Sequence, residues 1–340
     1  MKALVFKGVG APLQVEEVPM PQAGPGELVI KVAACGICGS DLHAVETPGF
    51  IQPEQVVGHE YVGTVVEIGP GVGPEWQVGD QLIAIPAKPC FACPACQAGD
   101  FAHCSAIILQ GYDPRMPGGD AEYTTCMAGM SMKLPAGFDI QTAAMVEPLC
   151  VGLNAYRAAQ AAPGATVMIV GAGVIGLAVA IAARFFGAGN VVVAEMVPSR
   201  LERARRIGAD HVIDATQCDN PVAECVKLTG SEPSVIFECV GRPMIQKLID
   251  MAPMNGHLVM VGTGMAPEQL TVLSAAMKRL RMTFTLGYEP ADFPFMLRML
   301  ATGRISAKHL VTGTVDLPGT PEMFEQLRKP NDHCKVLITP

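Results

Sequence analysis

Hydrophobic and polar positions follow different patterns in the two halves of the chain. In the first half, short runs rich in β-branched residues at 27–35, 61–69 and 80–86 are bounded by glycine- and proline-rich turn signals. Runs of this length and composition are typical of β-strands. Up to about residue 145, the pattern therefore predicts a barrel-like β domain with long loops.

The pattern changes after residue 148. A short apolar run at 166–170 is followed by a longer one at 174–186, and then by another short run at 190–195. The short runs predict strands and the long run predicts a helix. Strands and helices go on alternating to residue 286, which is typical of a doubly wound parallel sheet, so the predicted fold class is α/β.

The last part of the chain predicts a helix at 293–303 and a final strand at 334–340. We expect this strand to return to the β domain, which makes that domain discontinuous. The predicted domains are a β domain formed by residues 1–147 and 287–340, and an α/β domain formed by residues 148–286.

Length and charge narrow the possible functions. The chain has 340 residues, half of them hydrophobic, and a formal net charge of −8. Two domains are expected for this length. Because nucleic acids bind to clustered positive charge, we expect no nucleic-acid partner, and a substrate with several phosphates is disfavoured.

The number of cysteines and the lengths of the apolar runs indicate the cellular compartment of the protein. Twelve cysteines occur in a chain whose first apolar run, before Lys7, is too short for a signal peptide. We therefore expect a reducing, cytoplasmic setting with thiols free or bound to metal. Residues 165–183 are uncharged and long enough to span a bilayer, but three glycines divide them. They predict a buried strand and a buried helix, and no membrane span.

The sequence GAGVIG at 171–176 fits the pattern G-x-G-x-x-G, after a predicted strand and at the start of a predicted helix. The glycines allow the backbone to approach a pyrophosphate, and the helix N-terminus supplies amide donors. Glu195, at the end of the next strand, is placed to accept the ribose hydroxyls of NAD and to repel the 2′-phosphate of NADP. A glycine-rich turn without a ligand is the alternative.

The predicted cofactor is therefore NAD, with NADP disfavoured. Arg200 either contacts the adenosine or belongs, with Arg203, to a solvated helix face. The predicted cofactor-binding residues are Gly171, Gly173, Val174, Ile175, Gly176, Glu195, Arg200, Val240 and Leu286.

Four cysteines lie close together, at Cys90, Cys93, Cys96 and Cys104. Four thiolates can complete a tetrahedral shell around zinc, and they also suit an iron–sulfur cluster. The seven-residue gap before Cys104 favours zinc. Since such a shell leaves no open position, the ion is expected to hold a loop rather than take part in chemistry.

A second cluster begins at CGICGSDLH, residues 35–43, where Cys35 and Cys38 suit a redox couple, part of a zinc site or two buried thiols. Further along, VVGHEYVG supplies His59 and Glu60, and MVEPLCVG supplies Glu147. A catalytic zinc ion needs about three protein ligands and one open position. These side chains offer such a set.

The chain contains CGICGSDLH, VVGHEYVG, VGD, the four-cysteine segment, GGDAEY, VEPLCVG, GAGVIGL and GADHVID, in that order. With these motifs it resembles the zinc-dependent alcohol dehydrogenases of the medium-chain dehydrogenase/reductase family over nearly its whole length. The VEPL form looks most like the polyol, butanediol and threonine dehydrogenase branch. The resemblance implies a GroES-like catalytic domain, a Rossmann NAD-binding domain, and a catalytic and a structural Zn²⁺ in each chain.

The resemblance also implies roles for single residues. Cys38 and His59 are implied as ligands of the catalytic zinc, with either Glu60 or Glu147 as the third. Asp41 is implied to accept a hydrogen bond from His59 and so to fix the tautomer of its ring.

The implied reaction transfers a hydride between a secondary alcohol, or its ketone, and NAD. Zinc acts on the substrate hydroxyl as a Lewis acid, Ser40 takes the proton and His43 passes it to solvent. The alternatives are a loop hydroxyl for Ser40 and a surface histidine for His43. Cys35 then has no ligand role, and we expect a buried thiol.

The substrate is less well defined by the sequence. Residues 47–51, Tyr112 and residues 286–288 are expected to line the pocket, and they are mostly apolar. This favours a small or cyclic secondary alcohol, whereas the VEPL form is shared with enzymes of polyols, diols and amino alcohols. Asp120 stands where the family usually has a large apolar residue, and Asn154 where it often has histidine.

Two other functions remain as alternatives. One is a zinc-free reductase of the same fold, against which the four candidate ligands argue. The other is a non-catalytic NAD-binding protein, against which Ser40 and His43 argue. A homodimer or homotetramer is expected from the resemblance.

Overall fold

The computed structural model describes residues 1–264, 266–329 and 331–340. Its strands, in chain order, are β1 (Lys2–Phe6), β2 (Gln14–Glu17), β3 (Glu27–Gly36), β4 (Gln55–Val56), β5 (Glu60–Ile68), β6 (Gln81–Ala84), β7 (Ala87–Lys88), β8 (Ile108–Leu109), β9 (Tyr123–Met127), β10 (Ser131–Lys133), β11 (Thr166–Val170), β12 (Asn190–Glu195), β13 (His211–Asp214), β14 (Val235–Glu238), β15 (His257–Met260), β16 (Arg281–Phe284), β17 (Val311–Val315) and β18 (Lys335–Ile338).

The helices are α1 (Gly39–Ala44), α2 (Pro94–Gln97), α3 (Ile140–Ala144), α4 (Val146–Ala159), α5 (Val174–Phe185), α6 (Pro198–Arg206), α7 (Pro221–Thr229), α8 (Ile245–Met251), α9 (Val272–Met277), α10 (Asp292–Ala301) and α11 (Thr320–Leu327). The chain divides into two compact units. Unit 1 comprises Met1–Glu147 and Glu289–Pro340, and unit 2 comprises Pro148–Tyr288.

Unit 1 is built around the long strand β3. This strand pairs antiparallel with β5, β9 and β18, in a seven-stranded sheet whose order is β10-β6-β5-β3-β18-β17 with β9 beside β3. A smaller sheet has the order β2-β1-β4. Consecutive residues Leu28, Val29 and Ile30 are all buried, so both faces of β3 lie in the core.

Unit 2 is a parallel six-stranded sheet with the order β13-β12-β11-β14-β15-β16. Val191, Val192 and Val193 on β12 are all buried, as expected for a parallel strand covered on both faces. The strand order reverses next to β11, and ligands of such sheets bind beyond the carboxyl ends of the strands at this point. The predicted α/β fold class is therefore confirmed.

No helix within the described ranges is long and apolar enough to cross a membrane. The uncharged stretch at 165–183 forms β11, a turn and most of α5. This is the strand and helix that its glycines predicted.

Candidate functional site

The cysteines at 90, 93, 96 and 104 come together in a loop that includes the short helix α2. All four sulfur atoms lie within 4.8 Å of one another. Three backbone N–H groups of the same segment donate to these sulfurs over 3.3, 3.4 and 3.5 Å. The N–H group of Cys96 is the main reason that the pKa of Cys93 is lowered to about 6, whereas burial raises the pKa of Cys96 to about 12.

This arrangement fits a tetrahedral metal ion. A tetrahedron with Zn–S bonds of about 2.3 Å has sulfur–sulfur edges of about 3.8 Å. The sulfurs of Cys90 and Cys96 are 3.9 Å apart. His103 lies outside the group, because its exposed ring pairs with Asp100 at 2.8 Å. The four thiol groups fill a four-coordinate shell, so the segment can hold an ion but cannot offer it to a substrate.

A second group of ligand atoms forms where α1 and β5 begin. Cys38 directly precedes α1, His59 directly precedes β5, and Glu60 is the first residue of β5. One ligand atom from each of these three residues lies within 4.8 Å of the others. Three ligands leave a fourth position of a tetrahedral ion open, as catalytic zinc sites require.

Asp41 orients the imidazole of His59. The carboxylate of Asp41 is fully buried, accepts the N–H group of Cys38 at 3.0 Å, and lies 3.1 Å from Nδ1 of His59. Burial opposes the charged form of Asp41, but His59, together with the hydrogen bonds from Cys38 and Tyr112, outweighs burial and lowers the pKa of Asp41. With Nδ1 held by a carboxylate, Nε2 is the nitrogen available to a metal.

Glu60 has a second partner. Both of its carboxylate oxygens lie 2.6 Å from Nζ of Lys335 on β18, and Lys335 also donates to the carbonyl of Ile37 at 2.9 Å. Both side chains of this ion pair are fully buried. Burial lowers the pKa of Lys335, but the charge and hydrogen bond of Glu60, together with the charges of Cys38 and Glu147, outweigh burial and raise the pKa.

The other candidate third ligand, Glu147, lies at the start of α4 and is half-buried. It does not belong to the group formed by Cys38, His59 and Glu60. Its charge contributes to the raised pKa of Lys335, which places it in the same electrostatic environment as Glu60. The geometry thus brings together three of the four predicted ligands of this centre.

Ser40 contacts the candidate metal centre through its hydroxyl. Its Oγ donates to Sγ of Cys38 over 3.1 Å or exchanges a hydrogen bond with the hydroxyl of Tyr112 over 2.9 Å. Tyr112 also donates to Oδ1 of Asp41 at 2.8 Å. His43 is exposed on the outer face of α1. The predicted relay therefore has Ser40 in the network, while His43 lies at the surface.

Cys35 and Asp120 lie side by side in the core of unit 1. The thiol of Cys35 is fully buried, and burial raises its pKa well above the usual range. Asp120 is also fully buried; no N–H or O–H group of the described residues donates to its carboxyl oxygens, and their polar neighbour is the thiol of Cys35. Burial and the neighbouring charge of Asp41 raise the pKa of Asp120 well above its ordinary value.

The glycine motif forms the turn between β11 and α5. Gly171 has a φ of +97°, and a Cβ atom there would lie 2.9 Å from Val240. A Cβ atom on Gly176 would overlap the carbonyl oxygen of Gly171. A Cβ atom on Gly173 would meet no atom of unit 2, so the face of the turn at Gly173 is open. Val174 and Ile175 form the first turn of α5 and are half-buried.

Glu195 ends β12 and turns toward this glycine loop. One carboxylate oxygen accepts the N–H group of Ala172 at 2.8 Å, and the other accepts those of Met196 and Val197 at 2.7 and 3.1 Å. Arg200 lies on α6, and its Nε is buried without a hydrogen-bond partner among the described residues.

The remaining predicted cofactor residues lie at strand ends. Val240 follows β14 and Leu286 follows β16, and both are exposed. Asn154, the second departure from the family pattern, donates from Nδ2 to the carbonyl of Gly287 at 3.0 Å. This bond joins α4 to the segment after β16.

Two side chains of the site, Lys335 and Tyr112, were not predicted from the sequence to belong to its network of polar contacts. Lys335 is a single charged residue in an otherwise apolar strand. Such a residue indicates a buried partner of opposite charge. Tyr112 was identified only as a pocket residue. Nothing in the sequence indicates that its hydroxyl reaches Asp41, which is 71 positions away.

Comparisons with known proteins agree with this geometry. The family model described as "Alcohol dehydrogenase GroES-like domain" matches residues 24–136. The model described as "Zinc-binding dehydrogenase" matches residues 174–302.

Curated relatives and solved structures match the whole chain. Sorbitol dehydrogenase of Bacillus subtilis is 30% identical over 100% of this chain and 97% of its own length. Sorbitol dehydrogenase of Ovis aries is 33% identical over 96% of this chain and 93% of its own length. The crystal structure of 2R,3R-butanediol dehydrogenase from Bacillus subtilis has a TM-score of 0.89 and 29% identity, covering 100% of this chain and 99% of that one.

Proposed function

The chain belongs to the zinc-type alcohol dehydrogenases of the medium-chain dehydrogenase/reductase family, and we propose that it oxidises a secondary alcohol with NAD, or reduces the ketone with NADH. The observation that carries this proposal is the group of Cys38, His59 and Glu60, with Asp41 behind His59. These are the donors and the supporting hydrogen bond that a catalytic zinc ion requires.

Zinc bound there supplies Lewis acidity toward a substrate hydroxyl. The protein residues supply position and charge. Asp41 holds the ring of His59, and Lys335 holds the carboxylate of Glu60. Ser40 lies beside Cys38, and this supports the proposal that its hydroxyl meets the hydroxyl of a bound alcohol.

We propose Glu60 rather than Glu147 as the third ligand of this centre. The support is that a Glu60 oxygen lies within 4.8 Å of the ligand atoms of Cys38 and His59, whereas Glu147 lies outside that group. Cys90, Cys93, Cys96 and Cys104 are proposed to hold a second, structural zinc ion, since their sulfurs have the spacing of a tetrahedral shell.

We propose NAD as the cofactor. The open space at Gly173, at the N-terminus of α5, supports this, because it allows a pyrophosphate to approach the backbone N–H groups there. Glu195 is anchored beside that turn by the N–H group of Ala172. A carboxylate fixed at this position favours two ribose hydroxyls and opposes a 2′-phosphate.

We propose that the substrate alcohol carries a second hydroxyl, as a diol or polyol does. The printed names of the relatives, sorbitol and butanediol dehydrogenases, support this class. A simple secondary alcohol is the second candidate, favoured by the predicted apolar lining near Tyr112 and Phe50, whose rings pack edge to face at 5.6 Å.

The experiment is an activity screen of the zinc-loaded enzyme with NAD and with NADP. Its panel contains sorbitol, 2,3-butanediol, amino alcohols and simple secondary alcohols. We expect NADH formation with a diol or polyol, and a loss of activity and of one zinc ion per chain in Glu60→Gln. Glu147→Gln is the matched control and is expected to keep its zinc. An enzyme that oxidises nothing in the panel contradicts the proposed function.

A further inference from the structure

Tyr112 connects the residues around the proposed zinc ligands. Its hydroxyl lies 2.8 Å from Oδ1 of Asp41, 2.9 Å from Oγ of Ser40 and 3.3 Å from Nδ1 of His59. The ring of Phe50 packs against the ring of Tyr112 edge to face, which limits its rotation. The tyrosine hydroxyl is therefore held between Asp41, which orients His59, and Ser40, which is proposed to meet the substrate hydroxyl.

Counting protons gives the direction of each hydrogen bond. A carboxylate only accepts, so the single proton of the Tyr112 hydroxyl goes to Asp41. Ser40 also has one proton and two neighbours, the oxygen of Tyr112 and Sγ of Cys38. Ser40 can donate to Sγ of Cys38 over 3.1 Å or to the oxygen of Tyr112 over 2.9 Å, and only the second choice places a proton between the two oxygens. The tyrosine oxygen is also the better acceptor, because cysteine sulfur accepts weakly, so the proton of Ser40 is assigned to Tyr112.

We propose that Tyr112 is a positioning residue that draws the proton of Ser40 away from the substrate, so that Oγ of Ser40 accepts the hydrogen bond of the bound alcohol. The inference rests on the proposed function. Tyr112 itself need not touch the substrate, because it acts through Ser40. Without the tyrosine hydroxyl, the proton of Ser40 can turn toward Sγ of Cys38 or toward the alcohol.

The test compares Tyr112→Phe, Ser40→Ala and the double variant as zinc-loaded, full-length enzymes. The alcohol is the best substrate of the screen, with and without deuterium at the carbinol carbon. We expect Tyr112→Phe to lower kcat about ten-fold, to leave the KM for NAD and the zinc content unchanged, and to increase the deuterium isotope effect on kcat. Because Tyr112 acts through Ser40, the double variant should be no slower than Ser40→Ala alone.

A binding measurement provides a readout apart from turnover. Trifluoroethanol resists oxidation, and its affinity for the enzyme with NAD is expected to fall several-fold in Tyr112→Phe. Tyr156→Phe is the matched control, because the Tyr156 hydroxyl is buried without a hydrogen-bond partner among the described residues. It should leave kcat, the isotope effect and trifluoroethanol binding as in the wild type.

Three outcomes overturn the inference while the wild type remains active. One is a Tyr112→Phe enzyme with wild-type kcat and isotope effect. Another is a double variant in which the two single losses multiply. The third is a loss of zinc in proportion to kcat, which would make Tyr112 a structural residue. A wild type inactive toward every alcohol contradicts the proposed function itself, and the inference with it.

Discussion

At the scale of single residues, Asp120 places a carboxyl group where the core of unit 1 offers it no N–H or O–H donor among the described residues, only the thiol of Cys35. Burial and the charge of Asp41 raise its pKa, while in the unfolded chain an aspartate titrates near pH 3.9. As pH rises above that value, the unfolded state loses its proton first. The folded state is therefore destabilised, by up to about 1.4 kcal/mol per pH unit, until its own pKa is passed.

Asp120→Asn removes this titration. Urea unfolding at pH 5 and pH 8 should show that the advantage of Asp120→Asn over the wild type grows with pH. Asp219→Asn, on an exposed aspartate, is the control and should change little between the two pH values. An advantage that is equal at both pH values, or that shrinks toward pH 8, would mean that Asp120 is ionised in the folded protein.

Lys335 is the counter-charge of Glu60, and its loss should depend on the metal. Lys335→Met leaves the Glu60 carboxylate buried without its partner, so we expect metal-free protein to lose about 3 kcal/mol or more of unfolding free energy. Zinc on Glu60 offsets part of that loss, because it also compensates the charge. Urea unfolding with and without a chelator measures the difference.

Lys335→Arg is the matched control for this experiment, since it keeps the charge. If Lys335→Met loses the same unfolding free energy with and without zinc, Glu60 is not a ligand of the metal ion.

At the scale of elements, substitutions in the turn between β11 and α5 should affect stability at one glycine and cofactor binding at another. A Cβ atom on Gly176 would overlap the carbonyl oxygen of Gly171, so Gly176→Ala should cost about 2 kcal/mol or more of unfolding free energy. Gly173 has an ordinary φ of −70° and open space around it, so Gly173→Ala should change stability by less than about 1 kcal/mol.

Gly173→Ala should nevertheless weaken NADH binding at least about ten-fold, because a methyl group there keeps the pyrophosphate from the backbone. Thermal unfolding and NADH fluorescence titration measure the two effects. Unchanged NADH affinity in Gly173→Ala would argue against a dinucleotide on this turn.

The turn between β11 and α5 could be predicted from the sequence, whereas the polar contacts of unit 1 could not. The strand β11, the glycine turn and the helix α5 are adjacent in the chain, so hydrophobic period and glycine spacing predict them. The ion pair of Glu60 and Lys335 joins positions 275 apart. Pairing between β3 and β18 brings these positions together, and no local pattern encodes that distance.

The site shows the same division. Cys38, His59 and the four clustered cysteines lie in short sequence motifs, so the spacing of these ligands can be read directly from the sequence. The role of Tyr112 depends on where a loop places one hydroxyl, and the choice between Glu60 and Glu147 depends on which carboxylate lies beside Cys38 and His59. Neither the composition nor the spacing of residues predicts the positions of these side chains.

At the scale of the whole molecule, β16 is an edge strand of the described parallel sheet and has exposed apolar side chains on it and just after it. Phe284 on β16 and Leu286 after it are mostly exposed. Large exposed apolar side chains next to a strand edge are typical of an interface. We propose that a second copy of this chain covers them.

Phe284→Lys should therefore shift the enzyme toward the monomer in light scattering, while the folded content in circular dichroism stays the same. Val78→Lys replaces another exposed apolar residue, in unit 1, and is the control. A wild type that is monomeric at micromolar concentration contradicts this prediction.

The central claim, one catalytic and one structural zinc ion with separate roles, is tested most directly by zinc content and alcohol oxidation in three proteins. These are the wild type, Cys38→Ser and Cys93→Ser. We predict about two zinc ions per chain in the wild type and about one in each variant, because each substitution breaks one four-coordinate site. Cys38→Ser should lose oxidation of the alcohol, whereas Cys93→Ser should keep activity in the molecules that remain folded. Zinc absent from the wild type, or a Cys38→Ser enzyme with full zinc and full activity, would contradict the account.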